Sequence, residues 1–194
     1  TVRLNSISDA SSIGPVDLLL VFVKAMHTRQ ALRDNRGLIG SNTFLMSLQN
    51  GAGHEALLGE FADPAHIVLG VTQHNGSFLP DGRLHHGGGG QTAIGVLSGE
   101  PSRIQPIADN FTACGLPTTV CVDVRREIWR KLLLNASASA LTAVLQTSLG
   151  FIEENSEACM LMERLTEEAV SVANAELAHP FCLQEEIDRI KSVI

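Results

Sequence analysis

The first half of this 194-residue chain alternates short apolar runs with segments of helical pattern, and this alternation constrains the fold more than any other feature. Residues 16–23 (VDLLLVFV) form a continuous apolar run, which is typical of a strand buried on both faces of a parallel sheet. Residues 43–48 and 66–72 predict two further strands, while residues 28–36 and 54–61 predict helices between the strands. The alternation predicts a doubly wound α/β layer.

The remaining elements divide the chain in two. Residues 2–7, 92–97 and 118–123 are predicted to be extended, residues 104–114 helical, and the Gly-rich stretch within residues 83–97 is typical of a hairpin. After Asp123, a suitable N-cap, the pattern is helical almost to the end, with breaks near residues 148–150 and 179–180 and helices over residues 153–177 and 183–194. We therefore predict a sheet domain over residues 1–123 and a helical domain over residues 124–194.

Composition excludes several classes of protein. A net charge of -7 and an aromatic content of 4% argue against a nucleic-acid partner. No apolar run approaches the roughly 20 residues of a membrane span, and the first ten residues lack the apolar core of a signal peptide. We expect a cytoplasmic protein without a membrane partner. The four cysteines form no CxxC pair, so we expect them to be reduced packing residues.

The helix predicted after Asp123 carries polar side chains on one face. Counted from Lys131 at about 100° per residue, Asn135, Ser139 and Thr142 lie within roughly 80° of the lysine. This face could line a cleft between the two domains, which is a favoured place for ligands, or it could simply face water. Asn and Ser are poor helix formers, whereas solvated helix faces more usually carry Glu, Lys and Gln. The pattern alone leaves both interpretations open.

Polar residues also follow the predicted parallel strands, at the edge where open α/β sheets bind nucleotides. Lys24 follows the first strand, where it could contact a phosphate or ribose or open a helix in solvent. Asn50 follows the second, and Gly51 and Gly53 permit a tight turn and close approach of a ligand to the backbone. Residues 72–76 (TQHNG) end the third strand in the same way.

The stretch from residue 85 to residue 92 (HHGGGGQT) resembles two kinds of site only superficially. Adjacent histidines in a strand point to opposite faces, and no other ligand stands at a recognisable spacing, so we expect no metal. The glycines lack the GxGxxG pattern between a strand and a helix that binds a dinucleotide. We interpret them as a hairpin turn.

Several segments taken together resemble the ketopantoate reductase family, whose members reduce 2-dehydropantoate to pantoate with NADPH. These segments are VDLLLVFVKA, SLQNGAG, LGVTQHNG, GGGGQTAIG and IWRKLLLNASASALTAV, and they follow one another in the family's order over nearly the whole chain. The resemblance implies a Rossmann-like sheet domain that binds NADPH, followed by an all-helical domain for substrate binding and dimerisation. It also implies a role in pantothenate and coenzyme A biosynthesis.

The resemblance assigns roles to individual residues. Lys131 matches the family's catalytic lysine, which holds the ketoacid and donates a proton to the developing alkoxide. Asn135 matches a substrate-binding asparagine, and Asn50 matches the asparagine near nicotinamide and substrate. Lys24 matches a cofactor-contacting lysine, and Gly76 matches a backbone contact to the cofactor. An ammonium suits the assigned role because it can act both as a general acid and as a stabiliser of oxyanion charge.

Other positions depart from the family's pattern. Ser139, which we include among the substrate-binding residues, stands where many members have a second asparagine, and Leu149 stands where some have a polar contact. No GxGxxG loop precedes Val2, and the family's later serine and glutamate would follow Ile194. We therefore expect this chain to be the middle of a longer protein, with both domains incomplete, and expect that it could not bind NADPH normally by itself.

Two functional hypotheses remain. The first is an NADPH-dependent reductase of ketopantoate, or of a related branched 2-ketoacid. The second is a noncatalytic protein that senses NADP with the same fold. The presence of both Lys131 and Asn135 favours the first. Residues 158–177 are amphipathic and could pack within their own domain or across a homodimer.

Overall fold

A computed structural model describes residues 7–194 of the chain. The chain folds into two compact units, Thr1–Val124 and Arg125–Ile194. The strand predicted over residues 2–7 lies outside the described residues apart from Ile7, which is not in a strand.

The described part of the first unit contains a five-stranded sheet and a separate two-stranded hairpin. The strands are β1 (Leu18–Val21), β2 (Phe44–Ser47), β3 (Ile67–Thr72), β4 (Asn75–Phe78), β5 (Leu84–Gly88), β6 (Thr92–Val96) and β7 (Thr118–Val120). The order in the large sheet is β1-β2-β3-β6-β7, with β4 and β5 forming the hairpin. The first three strands are parallel to one another, while β6 runs antiparallel to β3 and parallel to β7.

Short helices connect the strands of the large sheet. The α-helices are α1 (Thr28–Asp34), α2 (His54–Leu58) and α3 (Gln105–Ala113), and 3₁₀ turns span Ala25–His27, Arg36–Leu38, Pro64–His66 and Pro101–Ile104. A buried cluster joins the sheet to α3, with Met46, Val68 and Ile94 from the strands and Ile104 and Ala108 beside and within the helix. The apolar runs of β1, β2 and β3 thus form the parallel part of the sheet, and the doubly wound α/β fold is confirmed. Burial of residues 16–23 on both faces is wrong, because β1 is the outer strand of the described sheet and Leu20 and Phe22 are 38% and 64% exposed.

The hairpin differs from the prediction. Strand β4 was not predicted, and the turn lies in residues 79–83, where the Gly82 amide donates to the Leu79 carbonyl at 2.9 Å. The hairpin turn predicted at the glycine run is therefore wrong: Gly87 and Gly88 belong to β5. Pro-Asp-Gly at residues 80–82 supplies stronger turn chemistry than the run of glycines. Packing explains why residue 87 is a glycine, since a Cβ there would lie 2.1 Å from Oδ1 of Asn75.

The second unit is helical. Its elements are α4 (Val124–Leu134, which begins at the boundary), a π-helical turn (Asn135–Ser139), α5 (Ala140–Leu145), α6 (Gly150–Glu154), α7 (Ser156–Glu176) and α8 (Leu183–Lys191). The single helix predicted over residues 153–177 is wrong, because Asn155 is extended and separates α6 from α7. Its side chain accepts a hydrogen bond from the Ala158 amide at 2.9 Å, which makes it the N-cap of α7.

The core of this unit is an apolar cluster that includes Leu133, Ile152, Met162 and Ile190, all fully buried. Leu149 packs against this cluster, so its side chain serves the core of the helical unit. Among the helices that the structure describes, none combines the length and apolarity needed to cross a membrane.

We predict that Gly70→Ala destabilises the sheet. A Cβ at this position of β3 would lie 2.5 Å from the carbonyl oxygen of Ala93 on β6 and 2.7 Å from Leu48. Such overpacking of a buried strand is expected to lower the free energy of unfolding by about 1–3 kcal/mol in urea denaturation. The control is Gly89→Ala, because a Cβ at Gly89 would meet nothing within 4 Å. Equal stability of the two variants would contradict the packing argument.

Candidate functional site

Two groups of candidate residues lie on different units, and each is described within its own unit. The sheet-edge group consists of Lys24, Asn50 and Gly76, and the helix group consists of Lys131, Asn135 and Ser139.

The sheet-edge group follows three neighbouring parallel strands. Val21 of β1 pairs with Ser47 of β2, and Lys24 and Asn50 are each the third residue beyond these partners. Gly76 comes shortly after the end of β3, within β4. Because the carboxyl ends of parallel strands meet at one edge of a sheet, the fold brings all three residues to the edge where open α/β sheets bind nucleotides.

The loop after β2 owes its shape to two glycines. Gly51 has φ +103° and Gly53 has φ +85°, which are conformations that side-chain-bearing residues rarely adopt. Gly53 is also the N-cap residue of α2. Nε2 of His54 lies 3.0 Å from the carbonyl oxygen of Asn50, so this nitrogen donates the hydrogen bond. The turn thus exposes Asn50 at the sheet edge while its backbone is tied to the helix that follows.

Gln49 is a residue of this edge that the sequence analysis did not single out. Its amide Nε2 donates to the carbonyl oxygen of Val23 and, at 2.9 Å, to Oγ1 of Thr28. Its Oε1 accepts a hydrogen bond from Oγ of Ser47 at 3.0 Å. One side chain therefore joins the end of β2 to the loop after β1 and to the start of α1. Its position between a buried strand and Asn50 could have marked Gln49 as a candidate. Its contacts to Val23 and Thr28 could not be predicted, because residue spacing does not reveal long-range contacts.

Gly76 lies in the hairpin opposite His86, beside an irregularity of the strand register. The rings of His74 and His86 are stacked with centroids 5.2 Å apart, and Nδ1 of His74 lies 3.0 Å from Nε2 of His86. A cavity of about 440 Å³ is lined by both histidines, Gly76, Thr72 and Thr92, together with apolar side chains. Gly76 therefore borders a cavity whose polar lining consists of threonines, the two histidines and Asn75.

The same histidines bear on the question of a metal. His86 contacts His74, whereas its neighbour His85 pairs with Ser77 in the hairpin. Within residues 7–194, no group of three or more His, Cys, Asp or Glu side chains is arranged to hold a metal ion.

The helix group begins with Lys131, a half-buried lysine in the last turn of α4. Burial lowers the pKa of the Lys131 ammonium, because a charge loses favourable hydration when water is excluded. Asn135 follows four residues later, so the two side chains are neighbours along one face of the helix. The pair offers an ammonium with a lowered pKa next to an amide.

A π-helical turn over Asn135–Ser139 changes the phase of the residues that follow. The turn contains one more residue than an α-helical turn, and such turns are frequent at functional sites. The count of 100° per residue is therefore wrong beyond Asn135. Around the helix axis, Ser139 and Thr142 lie at smaller angles than this count predicts. Oγ1 of Thr142 donates to the carbonyl of Ser139 at 3.0 Å, and the buried Ser137 donates to the carbonyl of Leu133 at 2.6 Å.

An ion-pair network holds α4 next to Lys131. Glu186 of α8 is only 4% exposed, and its carboxylate accepts a hydrogen bond from Nε of Arg189 at 2.6 Å. Oε1 of Glu186 lies 3.6 Å from Nε of Arg130. Nη2 of Arg189 donates to the carbonyl oxygen of Arg130 at 2.9 Å. Because Arg130 directly precedes Lys131, this network fixes the helix backbone from which the lysine projects.

Comparison with protein families covers most of the chain. Residues 1–99 match the family model described as ketopantoate reductase PanE/ApbA, and residues 123–193 match the model of the C-terminal part of the same family.

Curated relatives agree with the family models. The chain is 33% identical over 170 residues to the 2-dehydropantoate 2-reductase of Halobacterium salinarum, covering 87% of this chain and 56% of the relative. It is 30% identical over 179 residues to the enzyme of the same name from Streptococcus pyogenes serotype M3, covering 91% of this chain and 58% of the relative. The chain thus spans a little over half the length of these relatives.

Solved structures share the fold. The 2-dehydropantoate 2-reductase of Geobacter metallireducens is 26% identical, with a TM-score of 0.84, and the match covers 95% of this chain and 63% of that one. A D-mandelate dehydrogenase solved with NADH and anilino(oxo)acetate is 25% identical, with a TM-score of 0.85, and the match covers 94% of this chain and 59% of that one. On the strength of the two family models, which together span both units, the chain belongs to the ketopantoate reductase family.

Proposed function

We propose that this protein is an NADPH-dependent 2-ketoacid reductase that converts 2-dehydropantoate to pantoate, a step of pantothenate and coenzyme A biosynthesis. The observation that carries the proposal is the half-buried Lys131, whose pKa is lowered by burial and which lies one helical turn before Asn135 in a chain of this family. In this proposal the first unit binds the dinucleotide, and the helical unit binds the substrate and forms the contact of a homodimer.

The groups at the sheet edge suit a dinucleotide chemically. Lys24 offers an ammonium for a phosphate or ribose, and Asn50 offers an amide near the nicotinamide and the substrate. Both follow parallel strands at the nucleotide-binding edge, and the left-handed Gly51 lets the chain turn immediately after Asn50. Gly76 would contribute a backbone contact from the hairpin. NADP rather than NAD as the cofactor stays part of the proposal.

The helix group supplies the acid and the contacts to the substrate. When the dinucleotide is bound, it supplies the hydride for the carbonyl carbon of the ketoacid. Lys131 holds the carbonyl oxygen through its ammonium and donates a proton to it as negative charge develops, which combines general-acid catalysis with charge stabilisation. Asn135 and Ser139 orient the rest of the ketoacid with an amide and a hydroxyl.

A different 2-ketoacid is the second candidate substrate. Two observations favour it: Ser139 has a shorter side chain than the asparagine expected from the family's pattern, and a D-mandelate dehydrogenase is among the similar structures. A shorter side chain at this position leaves room that a bulkier 2-ketoacid could fill.

The direct test of the proposal is oxidation of NADPH by the full-length gene product with ketopantoate and a panel of branched and aromatic 2-ketoacids. We expect the highest kcat/KM with ketopantoate. Preference for another member of the panel would keep the mechanism and change the substrate. Binding of NADPH without turnover of any ketoacid would contradict the proposal and favour a noncatalytic NADP sensor.

Lys131→Ala is expected to lower kcat by about 10²–10⁴-fold, because the variant lacks the general acid. The control is Lys191→Ala, which also removes a lysine from the helical unit but only breaks a surface ion pair with Glu163. Steady-state kinetics and thermal melting of both variants separate catalysis from folding. If Lys131→Ala turns over as fast as the control, the lysine is not the acid.

The pH profile tests the protonation state of Lys131. The ammonium must carry its proton in order to donate it, so kcat/KM is expected to fall as pH rises through the pKa of Lys131. Because burial lowers this pKa, the fall is expected below the ordinary lysine range. Lys131→Arg, whose guanidinium stays protonated, is expected to lose this basic limb together with most of the activity. An unchanged basic limb in the arginine variant would assign the limb to another group.

A further inference from the structure

We propose that Gln49 is a positioning residue, which sets the loops that carry Lys24 and Asn50 so that both residues reach the same dinucleotide. This inference rests on the proposed function, because it takes Lys24 and Asn50 as cofactor-binding residues. Gln49 itself is proposed to touch neither cofactor nor substrate.

The Gln49 amide has partners in three different parts of the sheet edge. Its Nε2 donates to the carbonyl of Val23 and to the hydroxyl of Thr28, and its Oε1 accepts from the hydroxyl of Ser47 at 3.0 Å. The Thr28 hydroxyl also lies 3.3 Å from Oε1, to which it can donate. The Ser47 hydroxyl also accepts from the backbone amide of Gln49 at 3.2 Å. The side chain is therefore held at both ends, and it cannot leave without breaking its contacts to the loop after β1, to α1 and to β2 together.

Two of the three partners of the amide, the hydroxyl residues, are deeply buried, whereas Val23 is 39% exposed. Thr28 is 1% exposed and Ser47 is 2% exposed, so water cannot readily replace a lost partner at either hydroxyl. A buried polar group that loses its partner carries the full cost of its desolvation. An amide is also the side chain that meets the requirement, since the site needs two donated hydrogens on one atom and an acceptor on the other.

The positions of its partners link the Gln49 side chain to Lys24 and Asn50, the proposed cofactor-binding residues. Val23 directly precedes Lys24, and Gln49 directly precedes Asn50, so the hydrogen bond from Gln49 to Val23 joins the two loops one residue before each functional side chain. Beyond Asn50 the backbone turns at Gly51 with φ +103°. A shift of the Gln49 side chain is therefore transmitted directly to the backbone of both loops.

The first experiment measures NADPH binding to the full-length protein by calorimetry, with Gln49→Met as the variant. Methionine keeps the length of the side chain but neither donates nor accepts as the amide does, so we expect the Kd for NADPH to rise about tenfold. The control is Gln30→Met, because the Gln30 amide bonds Asp34 on the exposed face of α1. The Kd of the control is expected to match that of the wild type.

A double-mutant cycle then separates positioning from a general loss of structure. If Gln49 acts through Lys24, the effects of Gln49→Met and Lys24→Ala on Kd are not additive, and the double variant binds NADPH about as weakly as Lys24→Ala alone. Additive effects, or a Kd of Gln49→Met equal to that of the wild type, would overturn the inference. Thr28→Val provides a second route, since it removes one partner of the amide and should weaken binding in the same direction even if Gln49→Met folds poorly.

The outcomes distinguish this inference from the proposed function. Absence of NADPH binding and turnover in the wild type would reject the proposed function. Normal binding and turnover in the wild type, together with unchanged binding in Gln49→Met, would reject only the role of Gln49.

Discussion

The parallel alignment of β1, β2 and β3 is the constraint on which the candidate cofactor residues depend. It places the ends of three strands at one edge of the sheet. Lys24, Asn50 and Gly76 lie at this edge because each comes shortly after one of these strands. The middle of the described sheet is formed by strands that can be buried on both faces, as Met46 of β2 and Val68 of β3 are. Strand β1 pairs with β2 in parallel from the outer position, so the place of Lys24 at the edge depends on that pairing.

Much of this fold could be predicted from the sequence because its elements carry strong local signals. The apolar runs identified β1, β2 and β3, and residues 92–97 identified β6. Strand β4 was missed because its sequence, Asn-Gly-Ser-Phe, has little strand propensity, and its strand conformation depends on pairing with β5. The break at Asn155 was missed for the opposite reason. The helical pattern continues through it, although Asn155 is extended and its side chain caps the start of α7 by accepting from the Ala158 amide.

For the candidate site, too, only the features with a local sequence signal could be predicted. Strand ends and the face shared by Lys131 and Asn135 follow from local periodicity, so they could be stated from the sequence. The π-helical turn could not, because it depends on how the backbone of this one segment closes its hydrogen bonds, and it invalidates the phase count for Ser139. The contacts of Gln49 and Arg189 join residues far apart in sequence, and single-sequence patterns contain no information about such pairs.

In the role proposed for Lys131, catalytic chemistry and stability oppose each other. Its pKa is lower in the folded chain than in the unfolded chain, so over the pH range between the two values the unfolded state binds the proton more tightly. Below the folded pKa, the buried ammonium therefore costs folding free energy, and this cost declines as pH rises through that pKa. The protonated form that costs stability is the one that can donate a proton. The network of Glu186 with Arg130 and Arg189 ties the helix backbone next to the lysine to α8, so the position of the ammonium depends on contacts outside its own helix.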